Sequence, residues 1–152
     1  MSEAYICKLK DIEALCELTR MFVEESEWGW TFDKERSQLQ FYDYIMADNS
    51  DVIAIDEDGV MAGGAILVTA NDFTAEKQGF VHKFYVRPDR RGAKAARRLC
   101  EAATKWFDQK GCHTSFATST GFRANSKAIC TYTNLMRKYG YKESGPTLYR
   151  EK

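Results

Sequence analysis

Apolar and polar residues alternate at the head of the chain. Tyr5, Cys7 and Leu9 fall on one side and Ile6 and Lys8 on the other, which predicts a strand from Ala4 to Leu9. Asp11 then suits a helix N-cap. From Ile12 the period lengthens: Ile12, Leu15, Cys16, Thr19, Phe22 and Val23 share one helical face, and Glu13, Glu17 and Glu24 lie away from it. This helix is expected to end near Glu25. An acidic and aromatic connection follows, Glu24 to Trp30, and then a second helix from about Asp33 to Ala47. Leu39, Tyr42 and Met46 are its expected buried side.

The middle of the chain reads as sheet. Asp51 to Ile55 is a short strand, and Asp56-Glu57-Asp58-Gly59 is a hairpin turn, because Asp-Gly supplies the positive φ such a turn needs. Val60 to Ala70 returns, with a bulge expected at Gly63-Gly64. Asn71 to Lys77 is a polar turn and Gly79 to Val86 the next strand. A helix from about Ala93 to Lys110 carries Ala96, Leu99, Cys100, Ala103 and Phe107 on one face and is stopped by Gly111. Cys112 to Thr118 is a strand and Ser119 to Asn125 a loop. The last helix, 126–139, has Ala128, Tyr132, Leu135, Met136 and Tyr139 on one side and Gly140 after it. Two short strands, Tyr141 to Ser144 and Thr147 to Arg150, flank Gly145-Pro146. The order is β-α-α-β-β-β-α-β-α-β-β.

A length of 152 residues suits one domain, 1–152, with a sizeable core. No apolar run approaches the ~20 residues of a membrane span, and the opening MSEAYICKLK lacks signal-peptide architecture. The five cysteines (Cys7, Cys16, Cys100, Cys112 and Cys130) are scattered and form no CxxC. They point to reduced thiols in a cytoplasmic protein, with no metal site.

Net charge is zero but unevenly spread. Residues 1–60 hold 5 Lys+Arg against 15 Asp+Glu, and residues 61–152 hold 17 against 7. Two halves of one domain neutralise each other, or a bipolar site takes an anionic ligand on one side and a cationic one on the other. The cations concentrate in FYVRPDRRGAKAARRL, Phe84 to Leu99: Arg87, Arg90, Arg91, Lys94, Arg97 and Arg98. A strand running through a basic turn into a helix start suits a polyphosphate, because N–H groups lacking helical partners point outward there. The small Gly92, Ala93, Ala95 and Ala96 would let phosphate approach the backbone.

This segment resembles the acetyl-CoA loop of the GNAT superfamily of N-acetyltransferases. The family pattern is Arg or Gln, two residues, Gly, one residue, then Gly or Ala, after a strand ending in Val-x-Pro. Val86-Arg87-Pro88 matches the strand end, Arg91 the leading Arg and Ala96 the last small position, while Lys94 replaces the middle Gly. The element order is also that of the GNAT fold. The resemblance therefore implies an α/β (α+β) single domain, with a mixed, mostly antiparallel sheet of six to seven strands and helices on both faces.

It further implies acetyl transfer from acetyl-CoA, as co-substrate, to a primary amine of a small molecule or protein. By the same resemblance, Phe84, Tyr85 and Val86 would offer backbone groups to the pantetheine arm. The N–H groups of Arg91, Gly92, Ala93, Lys94, Ala95 and Ala96 would hold the pyrophosphate, with Asn125 or Ser126 nearby. His82 stands where the family often places a Glu, four residues ahead of the terminal Val, and an imidazole suits a base. The family's general acid is a Tyr in the last helix. Counting back from Gly140-Tyr141 gives Met136, which cannot donate a proton, whereas counting from Asn125 through Ala128 gives Tyr132. Tyr132 is the candidate acid, with a core tyrosine as the plain alternative; His113 reads as structural.

Glu27, Trp28 and Trp30 would border the acceptor, as the first two helices and their linker do in the family. Acid and aromatic character together suit a cationic amine, though tryptophans plugging the core edge would look the same. Dimers are common in the family, so a homodimer is allowed, but no exposed apolar stripe is read that would specify one. Lys94 and Met136 motivate a rival reading, a non-catalytic protein of this fold that keeps CoA binding. The arginine cluster also raises nucleic acid as a partner, which zero net charge argues against.

Overall fold

The computed structural model describes residues 3–91, 94–117, 127–143 and 150–151, without the side chains of 128–130. The sheet contains β1 (Tyr5–Ile6), β2 (Ser50–Glu57), β3 (Val60–Ala70), β4 (Gln78–Val86) and β5 (Thr114–Ala117), in that spatial order. Pairing is antiparallel from β1 to β4 and parallel between β4 and β5. The helices are α1 (Ile12–Glu25), α2 (Lys34–Met46), α3 (Lys94–Gln109) and α4 (Lys127–Lys138).

The central strands are near-continuous apolar runs because both faces are covered. Val52, Ala54 and Ile66 join Leu15, Cys16, Leu18 and Phe41 in the core under α1 and α2. Ile53, Ile55, Ala65 and Leu67 join Leu99, Cys100, Ala103 and Phe107 under α3, where Met136 of α4 also packs. Alternation along each strand thus divides one sheet between two cores. Trp106 is an unforeseen member of the second core; its indole N–H donates to Asp51 Oδ2 at 2.8 Å. Gly79 lets the sheet approach that layer, since a Cβ there would stand 2.4 Å from the Phe107 ring.

Several expectations hold and others shift. Asp58 (φ 52) and Gly59 (φ 79) make the expected hairpin turn, with positive φ at both central positions. The first strand is shorter than expected. Residues 9–11 instead form a 3-10 turn, and the Asp11 carboxylate accepts the Lys8 N–H at 2.8 Å. The β3 bulge falls on Ala62 rather than Gly63-Gly64, because Ile55 pairs with Gly63 and Asp56 with Met61. Gly63 serves close packing: a Cβ there would lie 2.7 Å from the Tyr85 carbonyl oxygen.

The expected buried face of α2 is wrong. Leu39, Tyr42 and Met46 are 62%, 48% and 56% exposed, while Phe41 is 8% exposed and Tyr44 and Ile45 pack beside it. The helix carries two apolar stripes, and the one holding Phe41 meets α1 and the sheet. An exposed apolar stripe therefore exists where none was read. The sheet has five strands among the described residues, not six to seven. Residues 141–143 are not strand, and 144–149, where the rest of the final pair was expected, lie outside the described residues. No helix among the described residues is long and apolar enough to cross a membrane.

Candidate active site

β4 carries a bulge that the sequence did not betray. Ile66 pairs with Lys83 and Leu67 with Val81, so His82 is the extra residue. Strict alternation would send His82 and Lys83 to opposite faces. The bulge re-aims the strand, and both residues border one cavity on the α1/α2 side of the sheet. Beyond the bulge Phe84 turns to the other face, where its ring packs 5.2 Å from that of Tyr132.

β5 pairs with Gln78 to Val81 through Thr114 to Ala117, and residues 118–126, which follow it, lie outside the described residues. From His82 to Val86, β4 has β3 on one side and no described strand on the other. Its end leads through a 3-10 turn, Pro88–Arg90, into α3. Lys94 is the first residue of α3, and among non-glycine described residues only Asp58 has positive φ, so Lys94 fits a helix start. Its N–H is one of those with no intrahelical partner.

The loop differs from expectation in detail. Arg91 does not reach outward: its Nε–H donates to the Val86 carbonyl at 2.9 Å, and its Nη atoms form an ion pair with the Glu25 carboxylate. Its guanidinium also lies 5.3 Å from the Tyr85 ring centre. Arg87 pairs with Asp89, and Arg90 with Asp58 at 2.7 Å. Ala95 is fully buried and Ala96 partly so, so their small side chains serve packing of α3 on the sheet. Gly92, Ala93, Asn125 and Ser126 lie outside the described residues.

The cavity between α1, α2 and the sheet has a volume of about 370 Å³, within the usual range for small-molecule sites. Its walls are largely apolar and aromatic, with Phe22, Phe41 and Tyr44 among them, and Trp30 on its border. Trp30 is half exposed and stacks on Trp28 at 6.1 Å, whereas Glu27 and Trp28 do not border the cavity.

The described residues do not give the cavity the expected acidic lining. Among the described residues the cavity has one bordering carboxylate, Asp33, which accepts the Arg36 backbone N–H at 3.0 Å as the N-cap of α2. Other acids of the first half are engaged elsewhere: Glu17 and Glu24 with Arg20, Glu13 with Lys34, and Glu25 with Arg91. The bordering cations are Arg36 and Lys83.

His82 sits with its ring 5.8 Å from that of Tyr44. Partial shielding from solvent, and then the Lys83 charge, hold its pKa below the ordinary imidazole value. A neutral imidazole can accept a proton. The Tyr132 hydroxyl is buried with no hydrogen-bond partner among the described residues, and burial pushes its pKa well up. It is therefore a protonated donor held on the opposite face of β4 from His82. Met136, the other position the last helix offered, is buried with its sulfur 3.3 Å from Cys100 Sγ, away from the cavity. His113, exposed, serves the backbone, donating its N–H to the Lys77 carbonyl. Among the described residues no cluster of side chains could hold a metal ion.

Comparison with known proteins agrees with this layout. The fold is similar to that of AAC(6')-Iy in complex with a bisubstrate analogue, CoA-S-monomethyl-acetylneamine. The TM-score is 0.78 at 17% identity, covering 100% of this chain and 98% of that one. It is also similar to an integron cassette protein from the mobile metagenome of Cole Harbour Salt Marsh (TM-score 0.79, 18% identity, covering 99% and 90%). A third similar structure is the aminoglycoside acetyltransferase meta-AAC0020, from an uncultured soil metagenomic sample, with sisomicin (TM-score 0.73, 15% identity, covering 99% and 95%). A search of curated proteins finds no match. The family model described as the acetyltransferase (GNAT) family matches residues 15–136, and the chain belongs to that family.

Proposed function

We propose that the protein transfers an acetyl group from acetyl-CoA to a primary amine bound in the cavity beneath α1 and α2. The observation that carries this reading is the bulge in β4, which sets both His82 and Lys83 on the border of the cavity, in a strand that leads on through Pro88–Arg90 to the start of α3. The strand that would carry an extended thioester and the pocket for an acceptor thereby share residues 82–86.

Acetyl-CoA supplies an activated acyl group. The chain's part is to bind, orient and move protons. Backbone groups of Phe84, Tyr85 and Val86 would take the pantetheine arm. The N–H groups at the start of α3, with the exposed Lys94 ammonium, suit the pyrophosphate. An alkylamine has a pKa of about 10 and must lose a proton before attack. His82, neutral near pH 7, takes that proton directly or through water. As nitrogen bonds to the acyl carbon, the carbon–sulfur bond breaks and the thiolate leaves. Tyr132, whose ring packs against Phe84, is the donor that would protonate it. Positioning supplies much of the rate, and each proton-transfer group adds about 10²–10⁴-fold.

Calorimetric titration with acetyl-CoA tests the cofactor half. Wild-type protein is expected to bind and the Lys94→Ala variant to bind more weakly. No binding by the wild type would remove the basis of the proposal.

A further inference from the structure

The side chains around the cavity speak to the acceptor. α1 contributes Leu15, Leu18 and Phe22, α2 contributes Phe41 and Tyr44, and β3 contributes Ile66. Thr19 also borders it, with its hydroxyl donated to the Leu15 carbonyl at 2.8 Å. Neighbouring rings hold these in place: Phe22 meets Tyr85 edge-on at 5.5 Å, and Trp30, at the border, stacks on Trp28. Close-packed interiors leave few voids larger than a water molecule, yet about 370 Å³ stays open between these side chains. Water there meets hydrocarbon and ring edges along this wall, so an apolar body that displaces it gains free energy.

We propose that the acceptor is a primary amine on a compact apolar ring, an arylalkylamine, with the ring held among Phe22, Phe41 and Tyr44 and the amine on a short arm reaching His82. This rests on the acetyltransferase reading for the reaction, but not for the binding. A ring of this kind fits the cavity and brings large apolar surface while giving up little conformational freedom. Edge-to-face contact with the surrounding rings adds a preferred orientation. His82 borders the same cavity and its ring lies 5.8 Å from that of Tyr44, so a body resting on Tyr44 brings an amine on a short arm to the imidazole. A polyhydroxylated body of the same size would instead press hydroxyl groups against hydrocarbon, and each one left without a partner weakens binding.

The test is calorimetric titration of the protein, without acetyl-CoA, with three primary amines: 2-phenylethylamine, ethylamine and glucosamine. The first two share the amine and differ in the ring. The third keeps a ring of similar size but covers it with hydroxyls. 2-Phenylethylamine is expected to bind about tenfold or more tightly than either of the others, the scale of burying one ring. Tyr44→Ala is expected to remove most of that advantage, and Trp30→Ala, at a half-exposed residue, part of it. Equal binding of the three, tighter binding of glucosamine, no binding of 2-phenylethylamine, or an advantage unchanged in both variants would each overturn the assignment. Acetyl-CoA is titrated into the same preparations. A ring preference without acetyl-CoA binding would leave the pocket assignment standing and remove the proposed reaction. Acetyl-CoA binding without the preference would do the reverse.

Discussion

Glu25 and Arg91, 66 residues apart in the chain, meet at the junction of α1 and the basic loop. The Glu25 carboxylate accepts from both Nη atoms of Arg91, one at 2.8 Å, and from the Tyr85 hydroxyl at 2.7 Å. Arg91 in turn donates to the carbonyl of Val86, the last residue of β4. The last residue of α1 is thereby tied to the strand and loop that would hold acetyl-CoA.

This pairing predicts that Arg91 acts by placing the loop rather than by gripping phosphate. Arg91→Ala and Glu25→Ala should then weaken acetyl-CoA binding alike, by a few-fold. If the guanidinium were a phosphate ligand restrained by Glu25, Glu25→Ala would instead strengthen binding. Both groups keep solvent contact, so a double-mutant cycle on stability should show coupling of only about 0.5–1 kcal/mol.

The packing of α2 gives a second prediction. Phe41→Ala should cost about 3–5 kcal/mol in urea unfolding, as for other buried phenylalanines. Leu39→Ala, on the exposed stripe, should stay within about 0.5 kcal/mol. The reverse order would mean that the other stripe is buried.

That helix also shows what a sequence can and cannot tell. Phe41, Tyr44 and Ile45 compete with Leu39, Tyr42 and Met46 at the same helical spacing, and only the position of the sheet decides between them. Features set by local chemistry were legible: the Asp58-Gly59 turn, the apolar face of α3, and the positive-φ glycines Gly111 and Gly140 closing α3 and α4. The strand leading into the basic loop was legible too. Features set by pairing were not. The β4 bulge leaves no residue signature at His82-Lys83, so Lys83 went unnoticed. The acids of the first half looked like an acceptor site because their partners (Arg20, Lys34 and Arg91) are fixed only in three dimensions.

The Trp106–Asp51 contact gives a third prediction. Asp51→Ala leaves a buried indole N–H without its acceptor, at a cost of about 1–3 kcal/mol. At this chain length that corresponds to a loss of roughly 2–4 °C in Tm per kcal/mol. Asp51→Asn, whose side-chain oxygen can still accept, should recover much of the loss.

A fourth concerns pH. His82 works as a base only when neutral, and its pKa lies below the ordinary imidazole value near 6.5. The acid limb of kcat/KM should therefore fall below that pH, with activity held until the solution is more acidic than a free imidazole would tolerate. Lys83 is one of the two causes of the depression, so Lys83→Met should move the limb upward. His82→Ala should reduce the rate about 10²–10⁴-fold and remove the limb. A limb unchanged in both variants would exclude His82 as the titrating base.

The most direct test mixes the protein with acetyl-CoA and a primary amine, and follows both free coenzyme A thiol and the N-acetylated amine by mass. Stoichiometric appearance of the two, dependent on protein and sharply reduced by His82→Ala, is the predicted result. Acetyl-CoA binding with neither product, across aromatic, carboxylated and polycationic amines, would contradict the account and mark a protein that keeps the fold and the cofactor without the reaction.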